Sequence, residues 1–132
     1  MSAALGNIAR NKDRRSDFMN SDNRIAARYV FESRIVIRLR RGMQNFAVPG
    51  WARDLSESGL GAFVAENLVI GELVAIQMQL GVSEKEVIAA RVVRQVGTQY
   101  GFQFMALSSE QRLGIHAAVK GQTAIPYRQP SR

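Results

Sequence analysis

The chain has 132 residues and no cysteine, a length that suits one domain with a real core and a composition that excludes disulfides and thiolate metal sites. Its net charge of +7 rests on 15 arginines against three lysines and points to anionic partners: nucleic acid, nucleotide, an acidic protein surface or anionic lipid. The single histidine, His116, cannot by itself build a metal site or a Ser-His-Asp triad. No apolar run reaches the roughly 20 residues of a membrane helix, and the first residues lack the apolar stretch of a signal peptide, so a cytoplasmic protein is expected.

In chain order, residues 1–22 are polar and mixed in charge, without sustained periodicity, and read as a flexible basic tail. NRIAARYVF follows and leads into SRIVIRLRR, which alternates cleanly. Ile35, Ile37 and Leu39 take one face, and Arg34, Arg38 and Arg40 the other. GMQN turns the chain into FAVPGWARDL, where Pro49-Gly50 predicts a break or bulge, because proline cannot donate to a ladder. LGAFVA is a short strand. ELVAIQMQL alternates again, with Val74, Ile76, Met78 and Leu80 together. After GVSEK, EVIAARVVRQV groups Ile88, Ala90, Val92 and Val96. After GTQ, YGFQFM groups Tyr100, Phe102 and Phe104. Six short strands at close spacing indicate an all-β antiparallel sandwich or barrel.

The period then changes. Ser108 and Gln111 form a capping-box pattern that opens a helix over SSEQRLGIHAAVK. Leu113 pairs with Ala117 at i, i+4, and Ile115 with Val119. Gly114 weakens the helix and Gly121 ends it. Such a helix is suited to plug the open end of a small barrel. Residues 121–132 read as a second flexible tail.

No catalytic constellation emerges. Acids are scattered, and Walker and dinucleotide glycine patterns are absent, so the chain reads as a binding module and not an enzyme. In RDLSESG, strict alternation puts Asp54 and Ser56 on one face of an extended chain, and Gly59 releases the backbone before the next strand. Upstream, Arg24 and Arg28 are four apart. Two guanidiniums there would clamp phosphate bidentately or stack on a base, which lysine does not do. The same spacing recurs at Arg10/Arg14, Arg34/Arg38 and Arg128/Arg132, so position alone distinguishes the pair.

RIAAR, a strand, and then DLSESG opening another strand together resemble the PilZ domain family, whose two-part motif is RxxxR followed by (D/N)xSxxG. Arg24 and Arg28 match the first part, and Asp54, Ser56 and Gly59 the second. The resemblance covers residues 23–120. It implies a six-stranded antiparallel PilZ-type β-barrel with a C-terminal helix and flexible termini. It also implies that the chain binds the bacterial second messenger cyclic di-GMP on the outside of the barrel, with no cofactor and no metal. Arg24 and Arg28 would hold phosphates, at least one of them stacking on a guanine. Asp54 would accept from guanine N1–H and N2–H, Ser56 would add a hydrogen bond to base or phosphate, and Gly59 would permit the turn and close ligand approach. The output would pass to a separate effector protein in motility, exopolysaccharide or surface-attachment machinery. Many family members carry an arginine directly before RxxxR. Asn23 stands there in this chain, which leaves open whether one ligand or a stacked pair is bound.

Trp51 is expected to pack in the core, on the alternation opposite to Asp54 unless a bulge intervenes. Tyr100 and Phe102 are expected inside the barrel, and His116 on the helix face without chemistry. Arg91 and Arg94 are out of phase, so at most one borders a ligand groove. The competing readings are a basic barrel for RNA or single-stranded DNA, and a PilZ-like interaction adaptor without nucleotide. The core phase of the aromatics argues against nucleic acid, which needs exposed stacking rings.

Overall fold

The computed structural model describes residues 27–81 and 85–126; the expected N-terminal tail and Arg24 lie outside them. Six long strands form the body: β1 (Arg28–Arg41), β2 (Gln44–Leu55), β3 (Gly59–Val64), β4 (Leu73–Gln79), β5 (Lys85–Val96) and β6 (Gln99–Phe104). All pairings are antiparallel, in the order β2-β3-β6-β5-β4-β1, and β1 pairs back onto β2, closing a barrel. Closure removes the free edges an open sheet would expose. The helix α1 spans Ser109–Val119, and a two-residue strand, β7 (Ala124–Ile125), follows it.

Alternation builds the core. Ile37, Leu55, Leu60, Ile76, Met78, Ile88 and Val92 are fully buried, and Tyr100 and Phe102 fill the interior as expected. Tyr100 needs a polar outlet: its hydroxyl accepts from the Leu68 N–H at 3.0 Å and donates to the Glu66 carbonyl at 3.3 Å. α1 opens with the expected capping box, the Gln111 N–H donating to Ser108 Oγ and the Ser108 N–H to Gln111 Oε1, both at 3.0 Å. Ile115 and Val119 join the core cluster. Gly114 lets the helix settle close to β4, since a Cβ there would lie 3.2 Å from Leu80 Cδ1. Leu113, of the other i, i+4 pair, is 67% exposed. One stripe of so short a helix meets the barrel, and Ile115–Val119 occupies it.

Other expectations shift. Pro49 and Gly50 run through β2 in unbroken register with Val36 and Ile35. The irregularities fall elsewhere: between Val30 and Ser33 against β2, between Ala52 and Asp54 against β3, and between Val92 and Arg94 against β6. The last of these takes Val96 out of phase with Ile88 and Val92, and it is 68% exposed. The segment read as a C-terminal tail also contributes. Ala124 and Ile125 pair with Tyr29 and Arg28, and the Val30 N–H donates to the Thr123 carbonyl at 2.9 Å. The 14-residue β1 is longer than its neighbour β4, which pairs only with Val36–Arg38, so its first residues have an edge left to fill. No helix among the described residues is long and apolar enough to cross a membrane.

Two features generate tests. Arg41 forks onto Glu72 at 2.9 and 3.0 Å and also donates to the Asn67 carbonyl at 2.9 Å, tying the β3–β4 loop to the end of β1. The hydrogen bonds from Arg41, helped by the Val69 N–H and opposed by burial, hold the Glu72 carboxyl below its ordinary range. A depressed carboxyl stabilises the fold above its unfolded pKa and loses that contribution as pH falls through the folded value. Glu72→Gln should therefore melt below wild type at neutral pH, with the gap closing as pH falls through that lowered pKa; a gap independent of pH would contradict the ion pair. At Gly59, a Cβ would fall 2.0 Å from the Phe102 carbonyl oxygen on β6. Gly59→Ala must push two paired strands apart, and a loss of about 3 kcal/mol is expected in urea denaturation, at the upper end for overpacking.

Candidate ligand-binding site

The bulge at Arg53 decides which side of β2 carries chemistry. Ala52 and Leu55 are both fully buried although three residues apart, so one residue between them breaks the alternation. Trp51, Arg53 and Asp54 consequently lie on the outer side. Trp51, expected in the core, is 41% exposed and pairs across the sheet with Phe63. Arg53 turns along this surface, with its guanidinium 4.8 Å over the Phe63 ring and Nε 3.7 Å from Glu32 Oε2.

Asp54 is the focus of the outer surface. Arg28, the first residue of β1, brings its Nε to 3.6 Å from Asp54 Oδ1, an ion pair longer than a hydrogen bond. Oδ1 is buried and has no hydrogen-bond partner among the described residues. A carboxylate that is largely desolvated and not hydrogen-bonded at one oxygen is costly in isolation and well suited to accept from a ligand N–H. The two sequence segments singled out above thus meet here through Arg28 and Asp54; Arg24, the other half of the first motif, is outside the described residues.

Ser56 and Gly59 serve the turn that follows. β2 ends at Leu55, so Ser56 does not continue the strand and does not share the face of Asp54. It is buried, at 3% exposure. Its Oγ accepts from the Ser58 N–H at 3.1 Å and the Gly59 N–H at 3.2 Å and lies 2.9 Å from Ser58 Oγ. The Ser56 N–H donates to the Gly59 carbonyl at 2.9 Å. This is the local side-chain bonding that makes serine a turn former. The close approach at Gly59 is to the β6 backbone. Between them, Glu57 reaches the helix: Arg112 Nε is 3.5 Å from its Oε1, and His116 Nε2 contacts its Oε2. His116, read as a residue without chemistry, is thus part of a tie between the turn and α1. A cavity of about 620 Å³ opens beside it, lined by Tyr29, Ser56, Glu57, Ile115, His116 and Lys120 among others.

A smaller polar cavity of about 180 Å³ lies over the outer surface of β2, β3, β6 and β5, lined by Arg53, Asp54, Gly61, Arg94, Gln99 and Tyr100 among others. Of the two out-of-phase arginines on β5, Arg94 is the one that borders it. Sequence alternation alone did not select Arg94, because the bulge between Val92 and Arg94 sets its direction.

The PilZ domain family model matches residues 21–121. Among solved structures, the chain is similar to the PilZ domain of CeSA from a cellulose-synthesizing bacterium, at 21% identity and a TM-score of 0.55, covering 71% of this chain and 95% of that one. It is also similar to the PilZ domain of YcgR from Escherichia coli with c-di-GMP, at 18% identity and a TM-score of 0.58, covering 74% of this chain and 89% of that one. No curated protein sequence matches. The match over most of the chain, on a closed six-stranded barrel with one C-terminal helix, establishes that this protein belongs to the PilZ domain family, a cyclic di-GMP-binding family of receptor and adaptor domains.

Proposed function

We propose that this protein is a cyclic di-GMP receptor, without enzymatic activity of its own, that passes the signal to a separate partner protein. The observation that carries the reading is the meeting of Arg28 with Asp54, whose Oδ1 is buried without a hydrogen bond among the described residues. Asp54 accepts from N1–H and N2–H of a guanine. Arg24 and Arg28 hold phosphates, and one of them stacks on a base. Ser56 and Gly59 contribute by holding the turn that fixes Asp54, with Ser56 also within reach of the larger cavity. Ligand bridges Arg24, Arg28 and Asp54 and creates a surface that the partner reads, a population shift driven by differential affinity. The partner belongs to motility, exopolysaccharide or surface-attachment machinery, and the protein works in the cytoplasm.

The nucleic-acid alternative is less well supported. Single-strand binding relies on exposed rings, and the burial of Tyr100, Phe102 and Phe104 leaves Trp51 and Phe46 as the large exposed rings among the described residues. Titration calorimetry with cyclic di-GMP, against excess GTP, tests the receptor reading. Wild type should bind at micromolar or tighter, insensitive to GTP. Arg28→Ala and Asp54→Ala should each weaken binding at least about tenfold, since each removes a charge-assisted bond worth roughly 1.5–3 kcal/mol. Isotherms unchanged in both variants would refute the site.

A further inference from the structure

Four residues stand in one row across four strands. Asp54 on β2 pairs with Gly61 on β3, Gly61 with Gly101 on β6, and Gly101 with Arg94 on β5. Both ends of the row adjoin a bulge, at Arg53 and at Val93, so both charged side chains emerge on the outer surface. The two central positions have no side chain, and their neighbours occupy the space. A Cβ on Gly61 would lie 2.6 Å from Asp54 Oδ2, and one on Gly101 would lie 3.4 Å from both Cζ and Nε of Arg94. A carboxylate and a guanidinium therefore lie over two facing glycines, on the lining of the 180 Å³ cavity.

The two walls differ in what they have left to offer. Arg53, which also lines the cavity, is engaged with Glu32 and the Phe63 ring. The Arg94 side chain has no ion pair or hydrogen bond among the described residues, although Asp54 shares its cavity. On the other side of Asp54, Arg28 is supplied from β1. A flat ring entering over the two glycines, with the exposed Arg94 side chain swung outward to its far edge, would meet an acceptor at one end and a fork of donors at the other. Guanine has the matching polarity: N1–H and N2–H on one edge, and the O6 and N7 acceptors on another, the pair that arginine binds bidentately. Adenine reverses both ends, placing a lone pair toward the carboxylate and an amino group toward the guanidinium.

We propose that Arg94 is a ligand-contacting specificity residue that donates to O6 and N7 of the guanine whose N1–H and N2–H face Asp54. The inference rests on the receptor reading and adds to it a base-reading group outside the two motifs. The arginines then have different roles, Arg24 and Arg28 holding phosphate or stacking while Arg94 identifies the base.

The test is a cycle of protein and ligand changes read by titration calorimetry: wild type, Arg94→Ala and Arg94→Lys, each with cyclic di-GMP and with its analogue carrying 7-deazaguanine, which lacks the N7 acceptor. Arg94 is exposed, so the variants should melt as wild type does. Arg94→Ala should weaken cyclic di-GMP binding about tenfold. Arg94→Lys should recover little of it, because lysine keeps the charge and loses the planar fork. The deaza analogue should bind wild type several-fold more weakly than cyclic di-GMP, yet bind Arg94→Ala no more weakly than cyclic di-GMP does. Unchanged cyclic di-GMP binding by Arg94→Ala overturns this inference and leaves the receptor reading standing. An equal cost of the deaza change in wild type and Arg94→Ala also overturns it, by placing Arg94 against another part of the ligand. A wild type that binds no cyclic di-GMP overturns both.

Discussion

The extra residue at Arg53 sets the polarity of the whole outer surface. With strict alternation from Ala52, Asp54 would point into a barrel filled by Ile37, Leu60, Ile76 and Met78, and Leu55 would point to solvent. An unpaired carboxylate in that interior would cost far more than a bulge. The bulge returns Leu55 to the core and leaves Asp54 at the surface, half-enclosed and near Arg28. A second bulge, at Val93, does the same for Arg94 while Val92 stays buried. Bulges bend and over-twist the strands that carry them, and they re-aim side chains next to binding sites. Here two of them flank a pair of facing glycines, so the concavity is built from backbone irregularity and missing side chains rather than from loops.

The pieces of the site are held from behind by elements remote in sequence. β7 pairs with Arg28 and Tyr29, fixing the backbone from which the Arg28 side chain departs. The turn after Asp54 is knotted by the Ser56 hydroxyl and held close to β6 by the absence of a Cβ at Gly59. Glu57, at a position the motif leaves variable, joins that turn to α1 through Arg112 and His116. The C-terminal helix and strand therefore support both the arginine and the aspartate sides of the site.

Much of this was legible in the sequence because it depends on local rules. Period-two alternation revealed the strands, and the Ser108–Gln111 capping box located the helix start to within a residue. The resemblance to the PilZ motif grouped Arg24 and Arg28 with Asp54, Ser56 and Gly59, and among the described residues Arg28 and Asp54 lie together. What escaped depends on cross-strand geometry. A bulge adds one residue without a distinctive residue type, so the shift at Arg53 that exposes Trp51, and the one at Val93 that exposes Val96, left no local mark. Pro49-Gly50 carried the signal for a break and yet stayed in register. Proline costs a strand only the donor it lacks. Ala124 and Ile125 are too short a run to show periodicity, and they form a strand only because β1 offers an uncovered edge. The row linking Asp54 to Arg94 joins residues that no linear spacing connects.

The arginine excess is better understood residue by residue than as a net charge. Arg38 donates to Gln77, Arg40 to the Gly42 carbonyl, and Arg41 to Glu72; Arg53 and Arg112 pair with Glu32 and Glu57. These side chains brace the surface of the barrel, and a polyanion competing for them would have to displace existing partners. The side chains of Arg34, Arg91 and Arg94 have no ion pair or hydrogen bond among the described residues, and of these only Arg94 shares a concavity with Asp54. A carboxylate in that concavity repels a phosphate backbone and attracts N–H donors. On the proposed reading these electrostatics favour a ligand that presents acceptors and donors in a fixed order along one ring over a uniformly anionic strand. Net positive charge favours anions in general, while the proposed specificity rests on the arrangement of one acid and a few unengaged guanidiniums.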